Sequence, residues 1–165
     1  KAHPSHTPLA LSAGNQTLLI QNAGDVKRLI NMATGAVVQT IKGSYVEDTA
    51  APSPDGQQVF IVTEQDIALH DLKTGKVLQR FDIPNFYGAI AFAPDAKSFL
   101  TITSNGDYDL WDLTSGNKRW SFTGRSGLSH AFATNEILVS TDRAANDITW
   151  WNWQTGQRIR KICNL

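Results

Sequence analysis

The sequence predicts an all-β fold built from a repeated unit of four short antiparallel strands. Three observations predict this fold. A pair of turn signals recurs four times at a constant spacing, and the segments between the turns are rich in β-branched and aromatic residues. In addition, no stretch of ten or more residues free of Gly, Pro or Asn turns carries the apolar stripe of a helix. We therefore expect essentially no helix.

The repeat is marked by a Thr-Gly or Ser-Gly turn whose glycines lie 40, 41 and 40 residues apart. An Asp or Asn stands four residues before each glycine. The four turns are Asn31–Gly35, Asp71–Gly75, Asp112–Gly116 and Asn152–Gly156. A second turn signal precedes each of them, as at Pro54-Asp55 and Pro94-Asp95, and it also recurs every 40 residues. Two signals that recur in a fixed order indicate a repeat architecture.

The third repeat illustrates the strands. Residues Phe99 to Thr103 are β-branched and aromatic, and Asn105-Gly106 follows them as a tight-turn pair. Further strands are predicted from Tyr108 to Leu113 and from Lys118 to Phe122, and a short one from Ala89 to Phe92. Four antiparallel strands in about 40–45 residues, repeated, are typical of the blades of a β-propeller.

Three motifs resemble the WD40 repeat family in particular. They are Leu110-Trp111-Asp112, with the Trp-Asp signature, and the turns Ala91-Phe92-Ala93-Pro94-Asp95 and Pro52-Ser53-Pro54-Asp55-Gly56. The resemblance extends over residues 9–162. The other repeats carry Ile30-Asn31, His70-Asp71 and Trp151-Asn152 in place of Trp-Asp, and the family's Gly-His pair is missing. We therefore expect the blades to depend more on packing than on the family's polar network.

The resemblance implies four blades, at about residues 9–43, 44–83, 84–124 and 125–165. Residues 1–8 are expected to form a flexible tail, because His3 to Pro8 is rich in proline. Neither the first nor the last blade has an evident polar cap, and repeat arrays require caps or neighbours. Three arrangements remain open: the chain belongs to a longer propeller, two copies close a ring head to tail, or four blades close alone.

Composition excludes several classes of protein. The 165 residues are 41% hydrophobic and 18% charged, which is too apolar for a disordered chain. Lys plus Arg and Asp plus Glu balance at 15 each, so there is no net field to attract nucleic acid or a membrane surface. We expect neither partner. Cys163 is the single cysteine and cannot form an internal disulfide.

Candidate chemical sites are few. No nucleophile elbow and no Gly-rich loop leading into a helix is present, so we expect a protein that is not an enzyme and has no cofactor. The acidic residues Asp107, Asp109 and Asp112 lack the spacing of a calcium loop. We interpret them as a solvated hairpin in which Asp112 bonds its own turn, and we expect no metal. Trp150 aligns with leucines in the other three repeats, which favours a packing role.

The connections between blades are the best candidates for binding. They occupy equivalent places in the repeat and are expected to share one rim. Their residues typical of binding hot spots are Tyr45, Phe86, Tyr87 and Arg125. His130 lies in the first strand of the fourth blade, which lines the channel in the WD40 family. We therefore predict a non-catalytic scaffold that binds a protein or peptide. The alternative is part of a larger propeller that is an enzyme or small-molecule binder using its central channel.

Overall fold

The computed structural model describes residues 6–11, 16–22, 26–42, 50–62, 66–122, 130–142 and 146–163. Within these ranges the protein is all-β, and no helix long and apolar enough to cross a membrane is found. The strands form four sheets of four antiparallel strands, and neighbours in each sheet follow chain order. The predicted class, an all-β protein of propeller-like blades, is confirmed.

The first sheet consists of β1 (His6–Leu11), β2 (Thr17–Asn22), β3 (Val26–Asn31) and β4 (Val37–Lys42). The second consists of β5 (Ala50–Pro52), β6 (Gln58–Val62), β7 (Ile67–Asp71) and β8 (Val77–Phe81). The third consists of β9 (Phe86–Phe92), β10 (Ser98–Thr103), β11 (Tyr108–Asp112) and β12 (Lys118–Phe122). The fourth consists of β13 (His130–Phe132), β14 (Ile137–Asp142), β15 (Asp147–Asn152) and β16 (Gln157–Ile162). The chain divides into two compact units, Lys1–Ile83 and Pro84–Leu165.

The first strand begins earlier than predicted. The expectation that residues 1–8 form a tail is wrong for the last three of them, because β1 starts at His6 and pairs with β2. Pro8 is part of this pairing, and the register shifts between Pro8 and Ala10. A proline lacks the N–H that a central strand needs, but β1 is the edge strand of its sheet and tolerates it.

The repeated turn has the same hydrogen bonds in each sheet. In the second sheet, Asp71 accepts hydrogen bonds of 2.7 Å from both the backbone N–H and the hydroxyl of Thr74. The Thr74 hydroxyl bond is the main cause that lowers the pKa of Asp71 below 3.8. Gly75 follows with a φ of 74°, a conformation that favours glycine. Corresponding bonds are made by Asn31, Asp112 and Asn152. The spacing of the motif is therefore that of a side-chain-capped turn.

The core of the first unit lies between its two sheets. Leu19 and Leu29 of the first sheet pack with Val59, Ile61 and Leu72 of the second. All five side chains are fully buried. The outer strand β4 of the first sheet also meets the turn between β7 and β8 of the second, because Gly75 lies so close to Gln39 that a Cβ at the glycine would overlap the Gln39 side chain.

The core of the second unit is built in the same way and is more aromatic. One face of the third sheet, with Leu100, Ile102 and Leu110, packs with Leu138 and Trp153 of the fourth. Phe122 and Trp151 extend this core, with ring centroids 4.3 Å apart. Trp120 on β12 covers Gly156, where an added Cβ would lie 3.1 Å from the indole. Trp120 and Gly156 therefore repeat the contact between Gln39 and Gly75.

The aromatic side chains that precede the turn motif make polar contacts in three of the sheets. The Trp111 indole donates a 2.8 Å hydrogen bond to the Thr101 hydroxyl, and Trp151 donates one of 2.9 Å to Ser140. In the second sheet His70 takes the tryptophan position, and its Nδ1 lies 3.0 Å from the carbonyl oxygen of Gly75. Each of these bonds ties the third strand of its sheet to a neighbouring segment.

Candidate functional site

Phe86 and Tyr87 lie at the start of β9, the edge strand of the third sheet. They were predicted to belong to a connecting loop, and this is wrong because the pairing of β9 with β10 reaches Phe86 opposite Thr103. A register shift between Thr101 and Thr103 makes room for the additional residues. Asn85 before them has a φ of 58° and its carbonyl accepts a 2.9 Å hydrogen bond from Ser104. The chain therefore enters the strand through a fixed turn.

The two aromatic side chains differ in exposure. Tyr87 is 57% exposed, whereas Phe86 is partly buried. Because neighbouring residues of a strand point to opposite faces, one ring can anchor in the protein while the other faces solvent. An exposed tyrosine next to an anchored strand offers a large contact surface whose side chain loses little entropy when it is bound.

His130 lies at the start of β13 and packs edge-on against Tyr108, with ring centroids 5.7 Å apart. Its Nδ1 is buried and has no hydrogen-bond partner in the part of the chain that the structure describes. Burial lowers the pKa of His130 below its ordinary 6.5, because an imidazolium loses hydration there. The neutral imidazole therefore keeps one nitrogen that could accept or donate a hydrogen bond.

The structure places Phe86, Tyr87 and His130 at one end of the sheets of the second unit. β9 and β13 begin there, and Tyr108 follows the Asn105-Gly106 turn at the same end. The predicted rim residues Tyr45 and Arg125 lie outside the described residues. Tyr108 was not singled out from the sequence, since its alternation with apolar residues indicates core and its contact with His130 is long-range.

One of the three acidic residues that were predicted to be solvated is buried. Asp109 is not solvated: it is buried, lies 3.3 Å from the Lys118 ammonium and accepts a hydrogen bond from Ser121. These partners sit on β12, beside Asp109, and the strand pattern alone did not indicate them. Asp112 caps its turn as expected. Among the described residues no three His, Cys, Asp or Glu side chains form a group that could hold a metal ion.

Comparisons with known proteins inform the fold alone. No known protein family and no curated protein matches the chain. A solved structure of hydrazine synthase from Kuenenia stuttgartiensis is similar, with a TM-score of 0.73 and 15% sequence identity. The match covers 95% of this chain and 49% of that one, so this chain spans about half its length. Because 1280 chains of solved structures match, the architecture is common and does not by itself identify a function.

Proposed function

We propose that the protein is a non-catalytic interaction scaffold of WD40-like β-propeller type, which binds a protein or peptide partner. The binding surface is the end of the second unit where β9 and β13 begin. The observation that carries the proposal is the exposed ring of Tyr87 on a strand held by pairing to β10. Tyrosines of this kind are frequent among the residues that dominate binding energy.

The surface favours an apolar or hydrogen-bonding partner over a strongly charged one. The chain has no net charge, so long-range attraction contributes little to association. Tyr87 supplies a ring and a hydroxyl, and the Phe86 backbone is fixed in the sheet. Tyr45 and Arg125 remain candidates from the sequence alone, because they lie in equivalent connections of the repeat.

Capture of partners from a native extract tests this assignment. Three baits are compared: the wild-type chain, Tyr87→Ala, and Leu78→Ala as the control. Leu78 lies on β8 and is 51% exposed, so we expect its truncation to alanine to leave the cores of the protein intact. We expect a partner that binds the wild type and Leu78→Ala but binds Tyr87→Ala about tenfold or more weakly, because a hot-spot truncation removes central contact area. If all three baits capture the same proteins with equal affinity, the rim assignment is wrong.

The second candidate is a small-molecule or enzymatic role in the channel of a complete propeller. The observation that favours it is the buried Nδ1 of His130, which has no hydrogen-bond partner among the described residues and which a ligand could satisfy. The solved structure that matches this chain has the name of an enzyme, which is a likeness of fold only. A small-molecule ligand that binds the wild type and Tyr87→Ala, but not His130→Phe, would favour this role over the scaffold.

A further inference from the structure

The two outer strands of the second unit are strongly basic. β12 and β16 carry no acidic residue and five basic ones, which are Lys118, Arg119, Arg158, Arg160 and Lys161. The outer strands of the first unit, β4 and β8, carry one basic residue each, Lys42 and Arg80. The chain as a whole has no net charge, so this concentration of positive charge is a local feature of the second unit.

The repeat itself does not require basic residues at these places. The second and third residues after the turn glycine are Lys118-Arg119 in the third sheet and Arg158-Ile159 in the fourth. The corresponding pairs in the first unit are Val37-Val38 and Val77-Leu78, whose side chains are between 39% and 52% exposed. Outer strands of this protein therefore begin with exposed apolar residues as well, so protection of a sheet edge by charge does not account for the arginines.

Both lysines of the two outer strands are neutralised by buried carboxylates. The Lys118 ammonium lies 3.3 Å from Asp109, and the Lys161 ammonium lies 2.6 Å from Asp147. Each carboxylate belongs to the third strand of the same sheet, so the ion pair ties that strand to the outer one. The positive charge that remains is that of the arginines.

The three arginines are exposed and form no ion pair among the residues that the structure describes. Arg160 lies over the ring of Trp150. Arg119 donates a 3.0 Å hydrogen bond from Nη1 to the hydroxyl of Ser98, which orients its side chain without neutralising its charge. Arg119 and Arg158 therefore keep guanidinium groups that are available to an anion.

Arg119 and Arg158 lie on the sides of their sheets that face each other. Arg119 reaches Ser98, and Ser98 lies on the same side of β10 as Leu100, which packs in the core shared with the fourth sheet. Arg158 is the cross-strand partner of Trp151, and the Trp151 ring contacts the third sheet at a centroid distance of 4.3 Å. Cross-strand partners share one face of a sheet, so Arg158 lies on the side that faces the third sheet.

The two arginines are attached beside the contact between Trp120 and Gly156. Arg119 directly precedes Trp120, and Arg158 follows Gly156 by two residues. Arg119, Trp120, Arg158 and Ile159 form what we call the outer seam of the second unit. Because both sheets belong to one unit, the outer seam does not depend on the first unit or on any sheet that packs against the far side of the fourth.

We propose that the outer seam binds an acidic segment of a partner protein. A guanidinium group forms paired hydrogen bonds with a carboxylate, and Arg119 and Arg158 present two such groups from facing sheets. The partly buried Trp120 and the 56% exposed Ile159 add apolar surface next to them. The zero net charge of the chain provides no long-range attraction for a nucleic acid, so the local charge suits a short acidic segment.

The outer seam and the proposed rim lie at opposite edges of the same sheets. The rim residues belong to the first strands, β9 and β13, whereas the outer seam belongs to the last strands, β12 and β16. The outer seam is thus a second surface of the protein, and either assignment can fail without the other.

Fluorescence anisotropy with synthetic peptides tests the proposal on the full chain. The probe is a labelled peptide of alternating Glu and Leu, and its matched control has Gln in place of each Glu. We expect the wild type to bind the Glu peptide about tenfold more tightly than the Gln peptide at low salt, and the difference to shrink as salt screens the charges. Equal affinity for the two peptides overturns the proposal.

Single substitutions locate the binding of the Glu peptide. Arg158→Gln and Arg119→Gln are each expected to weaken it about fivefold, which is the upper end for an exposed ion pair. Lys76→Gln is the control, because it changes the net charge equally and Lys76 is an exposed cation of the first unit. Arg158 has no ion pair in the described ranges, so Arg158→Gln is expected to keep the circular dichroism of the wild type. A loss that is as large in Lys76→Gln as in Arg158→Gln contradicts binding at the outer seam.

A nucleic acid is the competing occupant of a basic surface. A labelled single-stranded oligonucleotide is therefore measured with the same variants, and we expect it to bind more weakly than the Glu peptide. An oligonucleotide that binds more tightly than the Glu peptide, and is lost in Arg158→Gln, would overturn the assignment to an acidic protein segment.

Discussion

The imidazole of His130 packs edge-on against Tyr108, and burial lowers its pKa below the ordinary 6.5. In the unfolded chain a histidine takes up its proton near pH 6.5, whereas burial moves this uptake to lower pH in the folded protein. Between those two values the unfolded state binds more protons than the folded state. The free energy of unfolding therefore falls as the pH drops below about 6.5, and His130 has no such effect well above that value.

Replacement of His130 isolates its contribution to the pH dependence of the free energy of unfolding. His130→Phe keeps a ring against Tyr108 but cannot take up a proton. We expect urea denaturation at a series of pH values to show a weaker loss of stability below about 6.5 in the variant than in the wild type. Equal pH dependence of the two proteins would mean that His130 is hydrated in the folded state.

The sequence located the candidate residues within the repeat but did not predict their surroundings. Tyr87 and His130 could be located because the turn signals fix the position of each residue within its repeat. Two features could not be predicted, since they depend on side chains brought together by packing. They are the buried Nδ1 of His130, which is without a hydrogen-bond partner in the described ranges, and the ion pair of Asp109 with Lys118. A strand pattern gives the face of a residue but does not give its partners across the sheet.

At the level of strands and turns, substitutions at two turn glycines test how closely the first and second sheets pack. Gly75 and Gly35 have φ values of 74° and 70°, so Gly75→Ala and Gly35→Ala carry nearly the same backbone strain. Only Gly75→Ala also forces a Cβ into Gln39. We expect it to destabilise the protein by about 1–3 kcal/mol more than Gly35→Ala, as overpacking does. Equal losses in urea denaturation would contradict close contact between Gly75 and Gln39.

The sequence predicted the ends of a strand where a turn signal lies on each side of it. β12 spans Lys118–Phe122 as expected, because Gly116 and Gly124 mark its two ends in the sequence. β1 and β9 both begin three residues before the expected position. Each is an edge strand with a register shift, and its length is set by pairing with its neighbour rather than by its own residues.

For the molecule as a whole, the four-fold turn pattern was sufficient to predict four sheets but not which side chains fill the cores between them. Repeated sheets gain stability from contacts with their neighbours, and within each unit the two sheets share one core. Sequence register identified Trp150 as a packing residue, and the structure shows that it is only partly buried.

The central proposal is that the exposed ring of Tyr87 lies in the surface that binds a protein or peptide partner. Fluorine NMR of protein with fluorinated tyrosines tests it most directly, because each of the three tyrosines gives its own signal. We expect the Tyr87 signal, assigned with Tyr87→Phe, to move when the captured partner is added, while the signal of the fully buried Tyr108 stays fixed. A Tyr87 signal that is the same with and without the partner would contradict the account.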